Sequence, residues 1–148
     1  MAKEYFKLAC AVYLILKKDD KVFLLRRFNT GFEDGNYGLI SGHIDGGESI
    51  THAMIREAKE EAGIVIQPGD LKITHVMHRK CSDMAHERIC LFLSASSWTG
   101  KIMNMEPDKC DDIGWFPTKK LPENTIAYIK RAIDYSDSNV FFSEDGWE

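Results

Sequence analysis

The sequence has few cysteines and no closely spaced pair of them. The four cysteines are Cys10, Cys81, Cys90 and Cys110. Because there is no CxxC pair and no short secretory scaffold, we expect reduced thiols and a cytoplasmic protein. One set of histidines and cysteines fits no zinc-site spacing well: His78, Cys81, His86 and Cys90. Since Cys90 also lies in the apolar stretch ICLFL, we interpret it as a thiol on a strand.

Long apolar runs and an excess of positive charge are also missing. The stretch LACAVYLIL at residues 8–16 is too short to cross a bilayer, and it continues into KKDDKVFLL without a small-residue cleavage site. We therefore predict a buried strand, a charged turn and a second strand there. The formal net charge of -4 gives no basic field for a phosphate backbone. We expect neither a membrane nor polymeric nucleic acid as a partner, whereas a single nucleotide held through a metal is compatible with this charge.

Internal repeats and low-complexity linkers are absent as well. With 148 residues and 44% hydrophobic content, the chain suits one sizeable core, which predicts a single domain over residues 1–148. Hydrophobic periodicity predicts strands near 6–16, 21–27, 37–41, 71–79, 87–96 and 112–116, and helices near 50–62 and 123–135. The expected fold class is mixed α and β, with more strand than helix.

The helix at residues 50–62 has clear ends. Ser49 is a suitable N-cap, and Gly63 lies where a left-handed C-terminal residue would need to lack a Cβ. The preceding turn, GHIDGGES, contains glycines that permit left-handed backbone and close approach of main-chain groups to a ligand. Such a turn would deliver the ligand beside a helix N-terminus.

Three acids of this helix share its apolar face. A helical wheel places Glu57, Glu60 and Glu61 beside the apolar positions 50, 53 and 54. The basic and imidazole side chains fall on the other side: His52, Lys59 and Arg56. Acids three and four residues apart on a half-buried face repel one another and lose hydration. A Mg²⁺ or Mn²⁺ ion, which prefers carboxylate oxygens, would reverse both effects. The alternative is neutralisation by the basic residues and solvent without a metal.

The turn and the helix together form a pattern that resembles the Nudix hydrolase family. Its box reads Gly, five residues, Glu, seven residues, Arg-Glu, an apolar residue, any residue, Glu-Glu, any residue, Gly and an apolar residue. The matching positions are Gly42, Glu48, Arg56, Glu57, Ala58, Glu60, Glu61, Gly63 and Ile64. Seven fixed identities at frequencies of about 6 or 7% would coincide by chance on the order of 10⁻⁶ of the time. Softer similarity outside the box, in VFLLRR, YGLISGH and MEPDKCDDIGWF, resembles the MutT-like branch.

The resemblance implies an α+β fold, with a mixed sheet between helices in an α/β/α sandwich. It also implies that Glu57, Glu60 and Glu61 ligate Mg²⁺ or Mn²⁺ together with the Gly42 carbonyl, and that one of these acids takes a proton from the attacking water. By the same resemblance, Arg56 orients a box carboxylate and Glu48 braces the loop. Outside the box, Glu106 or Asp108 is a candidate extra ligand, although either is equally well explained as a plain loop acid.

Candidate substrate-binding residues lie on both sides of the box. Arg26 and Arg27 could meet phosphates, but an alternating strand lets only one of them face the site. Phe32 and Tyr37 are candidate stacking groups, and Asn124 could bind a base edge. Ordinary packing or solvent exposure explains each of them at least as well. The tail NVFFSEDGWE could fold over the site or cap the core.

The activity implied is hydrolysis of a nucleoside diphosphate linked to another group, with a nucleoside triphosphate as the first candidate. A dinucleoside polyphosphate, a nucleotide sugar or ADP-ribose is the alternative substrate. A nucleotide-binding module without turnover is the alternative from another class. Because degenerate modules tend to lose box acids and none is lost here, the enzyme is favoured. The sequence leaves both a monomer and a homodimer open.

Overall fold

The computed structural model describes residues 2–81 and 86–147, which form two β-sheets and two helices. The strands are β1 (Ala9–Ile15), β2 (Lys17–Lys18), β3 (Lys21–Arg27), β4 (Tyr37–Gly38), β5 (Ile40–His43), β6 (Leu71–Cys81), β7 (His86–Ala95), β8 (Cys110–Pro117) and β9 (Phe142–Asp145). The helices are α1 (Ile50–Ala62) and α2 (Ala127–Asp137), and a 3₁₀ turn covers Pro68–Asp70. Residues 1 and 148 of the predicted domain lie outside the described residues.

The strands build one mixed sheet and one antiparallel sheet. The first sheet has the order β5-β1-β7-β6-β9, with parallel pairs between β1 and β7 and between β6 and β9. In the second sheet β3 pairs with β2, β4 and β8. Helices α1 and α2 contribute to different hydrophobic clusters. The predicted fold class, a mixed sheet flanked by helices, is confirmed.

Strand β1 is buried on both faces, which explains its continuous apolar sequence. Val12 and Leu14 belong to the cluster that includes Met54 of α1, whereas Tyr13 belongs to the cluster that includes Ile129 of α2. A strand covered on both faces has no polar side to show in its sequence. Burial of each such side chain is worth about 1.5–3 kcal/mol. The prediction of a buried strand at this stretch is confirmed.

Helix α1 has the predicted bounds and the predicted caps. The Ser49 hydroxyl accepts a hydrogen bond from the His52 backbone N–H at 3.1 Å. At the other end Gly63 has φ 71°, and its N–H donates to the Lys59 carbonyl at 3.1 Å. The two caps fix the direction of the chain where it enters and leaves the acidic helix.

Several predicted boundaries were wrong. The strand predicted from residue 6 begins at Ala9, and the strand predicted over 37–41 is divided at Leu39, where the chain passes from the second sheet to the first. The helix predicted from residue 123 begins at Ala127. Its first turn is displaced because the Thr125 hydroxyl donates to the Pro122 carbonyl at 2.7 Å, closing a turn instead.

The C-terminal tail extends the first sheet. Strand β9 pairs with β6, and the fully buried His75 holds it in place. The Nδ1 atom of His75 lies 2.7 Å from the Val140 carbonyl, and Nε2 lies 2.7 Å from the Ser143 hydroxyl. The tail therefore adds an edge strand, and its residues belong to neither hydrophobic core cluster within the described residues.

All four cysteines are free thiols, as predicted. Cys90 is buried, and its Sγ lies 3.7 Å from the Tyr13 hydroxyl. His78 contacts the Glu87 carboxylate at 3.2 Å. Within residues 2–81 and 86–147, neither helix combines the length and apolar content needed to cross a bilayer.

Candidate active site

An acidic cleft of about 280 Å³ lies beside α1. Four glutamates line it: Glu57, Glu60, Glu61 and Glu106. The remaining lining residues are Leu25, Arg27, Thr30, Ser41, Lys109 and Cys110. The helix thus brings the three predicted box acids to one cavity, and a loop before β8 adds a fourth. We call this cavity the acidic cleft.

Two of these acids are desolvated by the fold. Burial raises the pKa of Glu61 well above its usual range, although the Ser41 backbone N–H donates to its Oε2 at 3.0 Å. Burial also raises the pKa of Glu57, partly offset by the guanidinium of Arg56. A buried carboxylate without enough positive charge is costly, so both positions favour a proton or a cation.

Gly42 leaves the space that the Glu57 carboxylate occupies. A Cβ built on Gly42 would overlap with the Glu57 side chain. Glycine at this position lets the Glu57 carboxylate lie against β5, so the first glycine of the box has a steric reason to be there. The proposed metal-binding role of the Gly42 carbonyl stays a prediction.

Arg56 connects the loop before α1 with the acids of the cleft. It donates to Glu48 through two nitrogens, Nε at 3.1 Å and Nη2 at 2.7 Å, and to Glu57 Oε1 through Nη1 at 2.7 Å. The guanidinium lowers the pKa of Glu48 to about 2. The helical wheel was wrong to separate Arg56 from the acids, because its long side chain bends back along the helix.

Glu60 also departs from the wheel. Its side chain is 52% exposed, whereas that of Glu57 is 13% exposed. The predicted placement of Glu60 on the apolar face was therefore wrong in part. At the edge of the helical stripe, Glu60 faces both the cleft and solvent.

The sequence left two candidates for an additional metal ligand outside the box, Glu106 and Asp108. Glu106 lines the cleft, and Asp108 is exposed and is not among its lining residues.

The donor set of the cleft fits a hard divalent ion. Carboxylate oxygens are its ligands of choice, and the half-buried Glu57 and Glu61 carry charge that a cation would compensate. Within the described residues, however, no three acidic, histidine or cysteine side chains converge as a ready-made cage. Mg²⁺ typically takes one or two carboxylates and completes its shell with water and substrate phosphates.

A second cavity, of about 310 Å³, adjoins the acidic cleft. Its lining residues are Ala11, Tyr13, Arg27, Phe32, Ser41, Gly42, His43, Arg88 and Tyr128. Arg27 and Ser41 line both cavities. The two cavities therefore place an acidic compartment beside a basic, aromatic compartment. We call the second cavity the basic cavity.

Of the residues proposed from the sequence for substrate binding, Arg27 lines both cavities and Phe32 lines the basic cavity. Arg26 pairs with Asp111 at 2.7 Å and lies outside both cavities. Tyr37 is buried, and its hydroxyl donates to Asp112. The Asn124 amide donates to the Gly35 carbonyl at 2.8 Å and also lies away from them. The positions of these three residues do not support the predicted substrate contacts.

Arg27, the neighbour of Arg26, is the arginine that faces the site. The pairing of β3 with β8 shifts register between the two arginines, so their directions could not be read from simple alternation. The Arg27 Nε donates to the Phe32 carbonyl at 2.7 Å, which holds the guanidinium between the cavities.

Sequence reasoning also missed Arg88 and His43. Arg88 lies two residues before the buried Cys90 and four before the buried Phe92, on the same face of β7. Period-two alternation could have shown that this arginine points toward the core. His43 ends β5, and no local signal marks it.

Comparison with known proteins identifies the family and supports the fold. The family model described as NUDIX domain matches residues 6–134. The chain belongs to the NUDIX domain family. Solved Nudix structures share the fold. A MutT NUDIX hydrolase from Burkholderia pseudomallei has TM-score 0.79 at 22% identity, covering 87% of this chain and 98% of that one. A MutT protein from Methanosarcina mazei has TM-score 0.75 at 21% identity, covering 88% and 94%.

Curated relatives of this Nudix domain are longer proteins. An ADP-ribose pyrophosphatase of Methanocaldococcus jannaschii is 39% identical over 61 residues, which is 41% of this chain and 36% of the relative. A NAD-capped RNA hydrolase NudC of Pseudomonas entomophila is 24% identical over 120 residues, 81% of this chain and 40% of the relative. The chain thus spans about two fifths of the curated relatives it matches.

Proposed function

We propose that this Nudix domain is a divalent-metal-dependent hydrolase of the pyrophosphate bond in a nucleoside diphosphate linked to another group. The observation that carries the proposal is that Glu57, Glu60, Glu61 and Glu106 line one cleft. A complete set of box acids beside a basic cavity suits catalysis better than binding without turnover.

Mg²⁺ is the first candidate for the metal, with Mn²⁺ as the alternative. Glu57, Glu60 and Glu61 would hold it, and Glu106 is the extra carboxylate placed to assist. When bound, the ion lowers the pKa of a water molecule and neutralises phosphate charge.

Side chains of the protein would position the carboxylates, bind phosphate and accept a proton. Arg56 fixes the Glu57 carboxylate through a 2.7 Å bond and is itself held by Glu48. Arg27, shared by both cavities, is placed to bind a phosphate oxygen. One of the box carboxylates accepts the proton of the attacking water. The water oxygen forms a bond to phosphorus, the bridging P–O bond breaks, and the bridging oxygen leaves with the second phosphate.

A nucleoside triphosphate is the first substrate candidate, giving a monophosphate and pyrophosphate. The second is ADP-ribose or a dinucleotide, giving two monophosphates. The relatives favour this second class, because they are an ADP-ribose pyrophosphatase and NAD-capped RNA hydrolases. The negative net charge argues against polymeric nucleic acid as the main partner.

The test is a panel of nucleoside triphosphates, ADP-ribose, dinucleotides and nucleotide sugars, assayed with Mg²⁺ or Mn²⁺ and with EDTA. The products would be identified by ³¹P NMR, which separates pyrophosphate from phosphate and monophosphates. Metal-dependent cleavage of one class supports the proposal. Binding of nucleotides without turnover of any substrate would favour the non-catalytic alternative. Gel filtration with light scattering would decide between monomer and homodimer, and cell fractionation would test the cytoplasmic location.

A further inference from the structure

The basic cavity contains Arg88, a positive charge that the proposed hydrolysis does not use. Arg27 and His43 line the same cavity, and no carboxylate is among its lining residues in the described part of the chain. Guanidinium groups removed from water without a counter-charge are costly, so a cluster of this kind suits an anionic ligand.

Arg88 is the least compensated of these groups. On the sheet it lies opposite Arg79, a like charge that destabilises a cross-strand pair. Arg79 has a carboxylate, Asp145, at 3.8 Å. Arg88 forms no ion pair within residues 2–81 and 86–147. Its Nε is buried and, in that same part of the chain, lacks a hydrogen-bond partner. A buried N–H group without a partner is costly, so a ligand in the cavity that offers a hydrogen-bond acceptor would be stabilised there.

Each aromatic ring of the cavity already has a neighbour on one face. Tyr13 stacks on Phe92 with ring centroids 4.7 Å apart. The guanidinium of Arg27 lies 5.5 Å from the centroid of the Phe32 ring, and that of Arg79 lies 3.7 Å from the centroid of the Tyr128 ring. The N–H groups of the cavity favour oxygen acceptors in a ligand.

We propose that Arg88 binds a phosphate group beyond the diphosphate that is cleaved, and thereby selects substrates that carry a third phosphate. The inference rests on the proposed function for the position of the diphosphate in the acidic cleft. Arg27 and Ser41 line both cavities, and the proposal places the phosphate chain of the substrate across this shared border. A nucleoside triphosphate has such a third phosphate, whereas ADP-ribose does not.

Binding of inorganic phosphate alone, with EDTA present, tests Arg88 independently of turnover. At about ten times its dissociation constant, phosphate should raise the melting temperature of the wild type by roughly 3 °C. Arg88→Met should lose this shift, and Arg88→Lys should keep part of it. Arg26→Met, which removes an arginine outside both cavities, is the matched control and should respond like the wild type. An equal shift in Arg88→Met, or no shift in the wild type, overturns the proposal.

Kinetics then test selection. Arg88→Met should lower kcat/KM for ATP by about 10- to 100-fold, mainly through KM, and change kcat/KM for ADP-ribose less than twofold. A loss for NADPH without a loss for NADH or ATP would place the bound phosphate on the ribose. Equal losses for all substrates, or none, overturn the inference. If no nucleotide is cleaved by the wild type, the proposed function fails, while the phosphate shift still decides the role of Arg88.

Because Arg88 faces Arg79, its replacement by Met should not destabilise the fold. Thermal unfolding without phosphate should give a melting temperature equal to or above that of the wild type. This check separates loss of a ligand contact from loss of structure.

Discussion

The carboxylate of Glu57 occupies the space in which any side chain at Gly42 would have to lie. One glycine on β5 therefore determines where an acid of α1 can point. The acidic cleft depends on this close approach of strand and helix, because Glu57 is one of its lining residues.

Gly42→Ala should displace the Glu57 carboxylate and impair activity more than stability. Because a Cβ would meet only the end of a flexible side chain, the free energy of unfolding in urea should fall by less than about 1 kcal/mol. We expect kcat to fall by about 10- to 100-fold. Gly69→Ala is the matched control, because a Cβ there meets no neighbouring atom within 4 Å. Equal behaviour of the two variants would contradict the steric role of Gly42.

Glu60→Gln should separate activity from stability. The Glu60 side chain is 52% exposed, so its neutralisation should change the free energy of unfolding by less than about 0.5 kcal/mol. We expect metal-dependent turnover to fall by about 100-fold or more. Glu123→Gln, at an exposed position outside both cavities, serves as the control. Near-normal turnover by Glu60→Gln across the substrate panel would refute its catalytic assignment.

Glu61→Gln should have opposite effects with and without metal. Without metal, the variant removes a buried charge and keeps an oxygen for the Ser41 N–H, so it should be at least as stable as the wild type. With Mg²⁺ or Mn²⁺, the wild type should gain stability and the variant should gain little. Melting temperatures measured in EDTA and in 5 to 10 mM metal, roughly the range that saturates weak sites, would show this crossover. A full metal response in the variant would remove Glu61 from the ligand set.

The Glu48 and Arg56 pair predicts a specific pH dependence. Arg56 lowers the pKa of Glu48 from 4.5 to about 2 on folding. A lowered folded-state pKa contributes stability above the unfolded-state value and loses it as the pH falls toward the folded-state value. The stability difference between wild type and Glu48→Gln should therefore be full above about pH 5 and shrink between pH 4.5 and 2. Urea unfolding at pH 6, 4 and 3 tests this. A difference that stays constant would contradict the pairing.

The sequence predicts the acidic helix well because its signals are local. Ser49 and Gly63 cap α1 at the predicted residues, and the spacing of the acids follows from helix geometry. The direction of Arg27 depends on a register shift between strands that are far apart in sequence. Strand β9 depends on contacts with His75, a residue on β6, more than sixty positions earlier. Partners at such distances leave no periodic signal, so these features required the folded chain.

The substrate-binding residues were also difficult to predict from the sequence. Residue type alone suggested Tyr37 and Asn124, but their polar atoms are engaged by Asp112 and Gly35 within the fold. Arg88 was overlooked although its alternation with Cys90 places it on an inward face. The residue types indicate which side chains could bind a substrate, and the pairing of the strands determines which of them line the same cavity.

The central claim is that the glutamates of α1 hold a divalent ion. Its most direct test is Mn²⁺ binding followed by electron paramagnetic resonance, comparing the wild type with the triple variant Glu57→Gln, Glu60→Gln, Glu61→Gln. Circular dichroism would establish that both proteins are folded. We predict that the wild type removes the signal of free Mn²⁺ in a saturable manner and that the triple variant does not. Identical Mn²⁺ binding by the two folded proteins would contradict the claim.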